Sequence, residues 1–111
     1  MALPRKHRLS GKKEFEKVFK KGKTINSETL RIKFIPNHLN FSRFGIIVPL
    51  LVSKKATIRN KIKRRLGEAV RLNIGGIKTG YDVVIIVKPE ILRKGRNETR
   101  KEILTGLIKI N

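Results

Sequence analysis

Between Thr29 and Pro36 the chain alternates, with Leu30, Ile32 and Phe34 on one side and Arg31 and Lys33 on the other. A period of two is that of a strand with one wetted face. Asn37 to Ser42 reads as a turn, and Phe44 to Val48 as a second strand, ended or edged by Pro49, which has no N–H to give to a ladder. Tyr81 to Val87 is apolar almost throughout, as expected of a strand covered on both faces, and Pro89 closes it. Between these strands the period lengthens. Ile58, Ile62, Leu66 and Ala69 recur at spacings of four, four and three, which lines them along one side of a helix. Asn73-Ile74-Gly75-Gly76 supplies its stop and the following loop. Upstream, Phe15, Val18 and Phe19 share one face of a shorter helix, with Ser10 to cap it, Glu14 and Glu16 early, Lys20 and Lys21 late and Gly22 just past its end. A last helix should begin between Asn97 and Thr99, where Thr99 and Glu102 would form a capping box, and should turn Ile103, Leu104, Leu107 and Ile108 to the core. The order helix, strands, helix, strand, helix predicts an α/β (α+β) two-layer sandwich.

Charge changes the picture most at the middle helix. The 111 residues include 28 Lys plus Arg against 8 Asp plus Glu, a formal net charge of +20. Opposite the apolar stripe stand Asn60, Arg64 and Arg71, flanked by Arg59 and Lys63 on one edge and by Lys61 and Arg65 on the other, with Ser53-Lys54-Lys55 just upstream. Only Glu68 interrupts. Solvated helix faces usually mix signs; cations gathered this closely repel one another until a polyanion covers them. With 39% hydrophobic residues the chain can build a core, so a single folded nucleic-acid-binding domain over residues 1–111 is expected instead of a disordered basic tail.

The remaining composition mainly excludes. There is no cysteine, hence no disulfide and no thiolate metal site. Met1-Ala2-Leu3-Pro4-Arg5-Lys6 lacks the apolar run of a signal peptide, and no segment reaches membrane-spanning length, so a soluble, cytoplasmic protein is expected. Binding to an anionic membrane surface would favour aromatic anchors, yet there is no Trp and the basic helix carries only aliphatic apolar residues. Catalysis by the chain itself is disfavoured, because the eight carboxylates are scattered and His7 and His38 lie in segments that read as flexible. Gly75-Gly76 has the spacing of neither a phosphate loop nor a dinucleotide fingerprint. The rival readings are a ribosomal-type or general RNA chaperone and, behind it, a DNA-binding helix-turn-helix. The latter is weakened by the strands that flank the basic helix.

Four ordered segments resemble the protein component of bacterial ribonuclease P. They are His7-Arg8-Leu9 followed by Glu14-Phe15 and Lys17-Val18-Phe19-Lys20-Lys21-Gly22; Arg43-Phe44-Gly45-Ile46-Ile47-Val48; Arg59-Asn60-Lys61-Ile62-Lys63-Arg64; and Gly80-Tyr81-Asp82. The resemblance implies a central sheet of about four strands in the order α-β-β-(β)-α-β-α, with a left-handed crossover where the general rule gives a right-handed one. It implies that a separate catalytic RNA, using Mg2+, removes the 5′ leader from precursor tRNA while the protein assists, so that no residue here is catalytic. Lys54, Lys55, Arg59, Asn60, Lys61, Lys63, Arg64 and Arg65 would contact the catalytic RNA. Phe15 and Phe19 would line a cleft for the single-stranded leader, with Lys17, Lys20 and Lys21 near its phosphates and either Lys33 or Phe34 facing it from the strand. By helical spacing alone, both phenylalanines read sooner as core residues. The ribonuclease P RNA and precursor tRNA are the implied partners of a protein that is monomeric when free.

The chain departs from the pattern at three places. The family commonly ends its central strand with Ser-Lys-Lys; counted back from Arg59 without gaps, those positions hold Pro49, Leu50 and Leu51, unless Ser53-Lys54-Lys55 slides into the role across a deletion. The leucines are expected either to be buried, as local divergence, or to weaken an RNA contact or offer an apolar patch. Lys61 stands for the signature's second arginine and loses its planar fork, and Gly67 replaces a usual arginine in what reads as an exposed turn. Restoring Ser-Lys-Lys at positions 49 to 51 should tighten RNA binding. Filter binding over a salt series checks this, and equal affinity with an equal salt slope would refute it.

Overall fold

The computed structural model describes residues 3–110; Met1 and Ala2, which belong to the N-terminal reading above, lie outside the described residues, as does Asn111. After a short 3-10 turn at Arg5–His7 come α1 (Lys12–Lys21), β1 (Lys23–Asn26), β2 (Leu30–Pro36), β3 (Arg43–Ile47), α2 (Ala56–Asn73), β4 (Tyr81–Val87) and α3 (Arg96–Ile108). The four strands form one sheet in the order β1-β2-β4-β3. The β1–β2 and β2–β4 pairs are antiparallel, whereas β3 and β4 run parallel, joined through α2 as a β-α-β unit.

Strand alternation sorts the side chains to two faces. Leu30, Ile32, Phe34, Phe44, Ile46, Val83, Ile85 and Val87 point to one side, where Ile62, Leu66, Ala69 and Val70 of α2 and Ile103 and Leu107 of α3 complete the main core. This is the expected two-layer packing. The opposite face carries a smaller cluster in which Val84 meets Leu9 and Val18, with Phe15, Ile35, Ile47 and Ile86 packed around it. Helix α1 thus adds a partial third layer. Strand β4 is covered from both sides, as its apolar run predicts, and each aliphatic side chain buried there contributes about 1.5–3 kcal/mol. Helix α3 approaches β2 closely because Gly106 leaves room: a Cβ there would stand 2.5 Å from Ile32 Cδ1.

The helix termini differ from expectation. Gly11, at φ 94°, takes the cap position of α1 with no side-chain cap bond, which leaves Ser10 outside. Helix α3 starts at Arg96 behind Gly95, ahead of the expected Asn97–Thr99, so Thr99 and Glu102 form no capping box. The Thr99 hydroxyl donates to the Gly95 carbonyl at 3.0 Å, and Glu102 Oε1 instead accepts the Thr29 N–H at 2.8 Å. Ile108 is exposed and Leu104 half-buried. Lys109 and Ile110 donate back to the carbonyls of Gly106 and Leu107, and that turn buries Ile110 in the place expected of Ile108. His7 does not lie in a flexible segment: its Nδ1–H donates to the Ser42 carbonyl at 2.8 Å and its ring meets Phe41 edge to face.

Glu102 ties α3 to the β1–β2 turn. Burial pushes its carboxyl up, but hydrogen bonding from Ser27 and Thr29 outweighs this and holds it below the ordinary value of a glutamate. A depressed carboxylate stabilises the fold fully above that value and loses its contribution as the pH falls below it. Glu102→Gln should therefore lower stability by about 1–2 kcal/mol at neutral pH and flatten the acid limb of the stability profile. Urea unfolding at a series of pH values between neutrality and acid checks both, and parallel wild-type and variant profiles would contradict it.

Candidate nucleic-acid interface

Helix α2 buries Ile62, Leu66, Gly67, Ala69 and Val70, so Gly67 occupies the packed side and not the exposed turn expected of it. The other side remains wet. Lys54, Lys55, Asn60, Lys61, Arg64 and Arg65 are exposed, and Arg59 and Lys63 are half-buried. Arg59 donates to the Ser53 carbonyl at 2.9 Å, tying the approach segment to the first turn of the helix. Among the described residues none of the cations in this group forms an ion pair. Arg71 differs, since Glu68 binds it three residues away and takes up its charge. The structure therefore gathers all eight predicted residues along α2 and its approach, and leaves their charge uncompensated.

The connection from β3 to α2 corrects one expectation. Val52 N–H donates to the Pro49 carbonyl at 3.0 Å, and that turn lifts Leu50 and Leu51 to 66% and 80% exposure. Burial is excluded. Val48 and Val52 on either side go into the core instead.

The opposite face of the sheet is built around Arg43. Its guanidinium donates to both oxygens of Asp82, at 2.8 and 2.7 Å, and reaches Glu14 Oε2 at 3.1 Å, which links β3, β4 and the first turn of α1. The hydrogen bond to Asp82 raises the Arg43 pKa further, and burial opposes that rise. Asp82 is only 3% exposed, so this charge depends on its partner. Three segments that look unrelated along the chain meet here. With α1 so placed, Val18 is fully buried, and the Phe15 ring lies where a side chain at position 45 would otherwise be: a Cβ on Gly45 would stand 2.5 Å from Phe15 Cζ.

Beside α1 lies an open strip of sheet. Phe19 is 38% exposed at its edge, and Lys17 and Lys20 are exposed on the helix, as is Lys21. Lys33 pairs with Val84 and Thr24, which puts it on the α1 face, half-buried. Phe34 goes the other way. It is 6% exposed and packs edge to face on Tyr81 at 5.9 Å, so the pleat removes it from the cleft and leaves Lys33 there. The sequence reading missed Arg31, which shares Lys33's face two residues away and bonds Asn26; the alternation of β2 already carried that signal. Ile47 and Ile86 form a half-buried apolar floor.

No group of three or more His, Asp or Glu placed to hold a metal occurs among the described residues. Glu14 and Asp82, brought together at this face, are both engaged by Arg43. Nor is any helix of the described residues long and apolar enough to cross a membrane. Fold and surface together define a small α/β protein of the nucleic-acid-binding class, with its cations gathered on one helix.

Comparison with known proteins narrows that class. The sequence profile of the family described as Ribonuclease P matches residues 3–111. The ribonuclease P protein component of Alkaliphilus oremlandii is 35% identical over 105 residues, covering 95% of this chain and 91% of that protein. That of Thermotoga maritima is 39% identical over 90 residues, covering 81% and 76%. The solved structure of the Thermotoga maritima RNase P protein in complex with 1-(4-fluorophenyl)-2-thiourea superposes with a TM-score of 0.88 at 36% identity, covering 94% of this chain and all of that one. The chain belongs to the ribonuclease P protein component family, the protein subunits of the endoribonuclease that matures tRNA 5′ ends, and its partner is the ribonuclease P RNA.

Arg43→Met should destabilise the protein by about 3–5 kcal/mol, because it leaves Asp82 buried without a counter-charge. Arg43→Lys should recover only part of this, lacking the fork that grips both oxygens. Chemical denaturation measures the difference, and a loss below about 1 kcal/mol for Arg43→Met would show that the clasp is dispensable.

Proposed function

We propose that α2 docks on the catalytic RNA through Lys54, Lys55, Arg59, Asn60, Lys61, Lys63, Arg64 and Arg65, while the strip between α1 and the sheet holds the single-stranded 5′ leader of precursor tRNA. One observation carries this reading: the uncompensated cationic helix and the half-open aromatic strip lie on opposite faces of the sheet. Two RNA segments can then be held at once without competing for side chains. In the strip, Phe19 offers a ring to an unstacked base, Phe15 supports it from within, and Lys17, Lys20 and Lys33 draw the backbone. Stacking of this kind is indifferent to sequence, as a shared subunit for many precursors requires.

On this reading the chemistry belongs to the RNA, which also holds the Mg2+, and the protein contributes charge neutralisation and leader positioning. It works in the cytoplasm and is monomeric when free. General RNA chaperoning would need only the charge, and leaves the aromatic strip beside α1 without a use.

The test assembles the protein with a ribonuclease P RNA and precursor tRNA, with and without a leader, at moderate magnesium. Cleavage should depend on the protein, and the leader-bearing substrate should bind more tightly. Phe19→Ala should weaken that substrate about tenfold, the value of one lost base stack, and leave the leaderless one unchanged. Affinity for the catalytic RNA should drop by roughly 10³–10⁵ between 50 and 200 mM salt if about six to ten phosphates are neutralised. Equal binding of both substrates, with or without Phe19, would refute the cleft.

A further inference from the structure

We propose that the groove between α2, from Ile58 to Ala69, and the segment leading into α3 with the first turns of that helix receives one unpaired nucleotide of the RNA that lies along α2, making α3 a second RNA-contacting helix. This rests on the docking of α2 described above and extends it to residues outside the signature helix.

The groove has a volume of about 440 Å³. That lies toward the lower end of small-ligand pockets, about 300–1,000 Å³, and suits a single base-sized group. Its floor is aliphatic, with Ile62, Leu66 and Ala69 on the α2 side and Ile91 and Leu92 opposite. Leu92 is 57% exposed, a large apolar side chain left uncovered at the mouth. The rim is cationic on both sides. Lys61, Arg64 and Arg65 stand along α2, and Arg96 and Arg100 face them from α3. All five are exposed, and none is in an ion pair among the described residues. The other charged groups at the groove are already engaged, Glu68 by Arg71 and Lys94 by Glu28 and Glu98.

Continuity identifies the occupant. Lys61, Arg64 and Arg65 belong both to the RNA-facing surface of α2 and to this rim, so an RNA strand leaving that surface passes over the mouth and meets Arg96 and Arg100 next. An apolar floor beneath guanidinium planes accepts a base by shape and stacking, while the rim takes the flanking phosphates. The Thr99 hydroxyl is committed to the Gly95 carbonyl, so the groove discriminates unpaired from paired nucleotides and not one base from another.

The chain has no cysteine, so Leu92→Cys provides one attachment point for a photo-crosslinker in the groove, and Asn60→Cys provides another on the outward face of α2. Each is assembled with the ribonuclease P RNA. Both should crosslink, and the Leu92→Cys probe should map to a single unpaired nucleotide. A productive Asn60→Cys probe beside a silent or scattered Leu92→Cys probe overturns the inference and leaves the docking of α2 standing. Failure of both overturns the docking reading as well. If an acidic amphipathic peptide shields the Leu92→Cys probe while the RNA does not, the groove belongs to a protein partner and the inference also falls. Independently, the double variant Arg96→Gln/Arg100→Gln should weaken binding of the catalytic RNA about tenfold near physiological salt and lower the log–log salt slope by about two, with the preference for leader-bearing substrate intact. An unchanged affinity and slope would count against it.

Discussion

The Arg43–Asp82 pair is the constraint on which the arrangement depends. Strand β4 is sandwiched between helices, and its second residue is a carboxylate with almost no access to water. An ion pair with so deeply buried a carboxylate adds little net stability compared with a hydrophobic replacement, but breaking it is expensive, and its bidentate geometry reinforces the register that the β3–β4 ladder sets. By also reaching Glu14, the same guanidinium anchors the start of α1. The helix then lies across the sheet with Val18 inward, Phe15 over Gly45 and Phe19 at the edge. An interaction with no part in binding RNA thereby sets the width of the strip proposed to bind it.

The sheet is also a partition. Its larger core holds α2 and α3 and fixes the direction in which the basic helix faces; its smaller core holds α1 and leaves Ile47 and Ile86 only half covered. Charge on the two sides is managed differently. At α1, Arg43 engages Glu14 and Asp82 and leaves Glu16 among the lysines, whereas along α2 the single carboxylate, Glu68, is already occupied by Arg71. A polyanion on α2 therefore relieves repulsion that the free protein carries, and its binding is expected to depend steeply on salt.

The parts of the fold that were legible in the sequence are those where burial is one-sided or complete. The alternation of β2, the apolar run of β4 and the stripe of α2 each follow from the face they bury. Termini were harder, because Gly11 and Gly95 hold the cap positions and offer no side-chain signal, while Ser10, Thr99 and Glu102 sat close enough to suggest caps that do not form. Strand β1, Lys23–Asn26, carries one isoleucine among polar residues and exists because β2 offers an edge to pair with. At the candidate site, the apolar stripe of α2 already indicated which side of the helix carries the uncompensated cations. The choice between Lys33 and Phe34 was not legible, since it depends on a pleat that only the register fixes, and neither was the meeting of Arg43, Asp82 and Glu14, which is a fact of tertiary structure. Leu50 and Leu51 look like core residues by composition, and only the turn after Pro49 reveals that they are not.

On the proposed function, two RNA surfaces on opposite faces of the sheet are filled independently. Hydroxyl-radical footprinting of the protein addresses this directly, first with the catalytic RNA alone and then with leader-bearing precursor added. The catalytic RNA alone should protect Lys61 through Arg65 while Phe19 stays as oxidisable as in the free protein, and protection of Phe19 should appear only when the precursor joins. Protection of Phe19 and α2 together by the catalytic RNA alone would contradict the account.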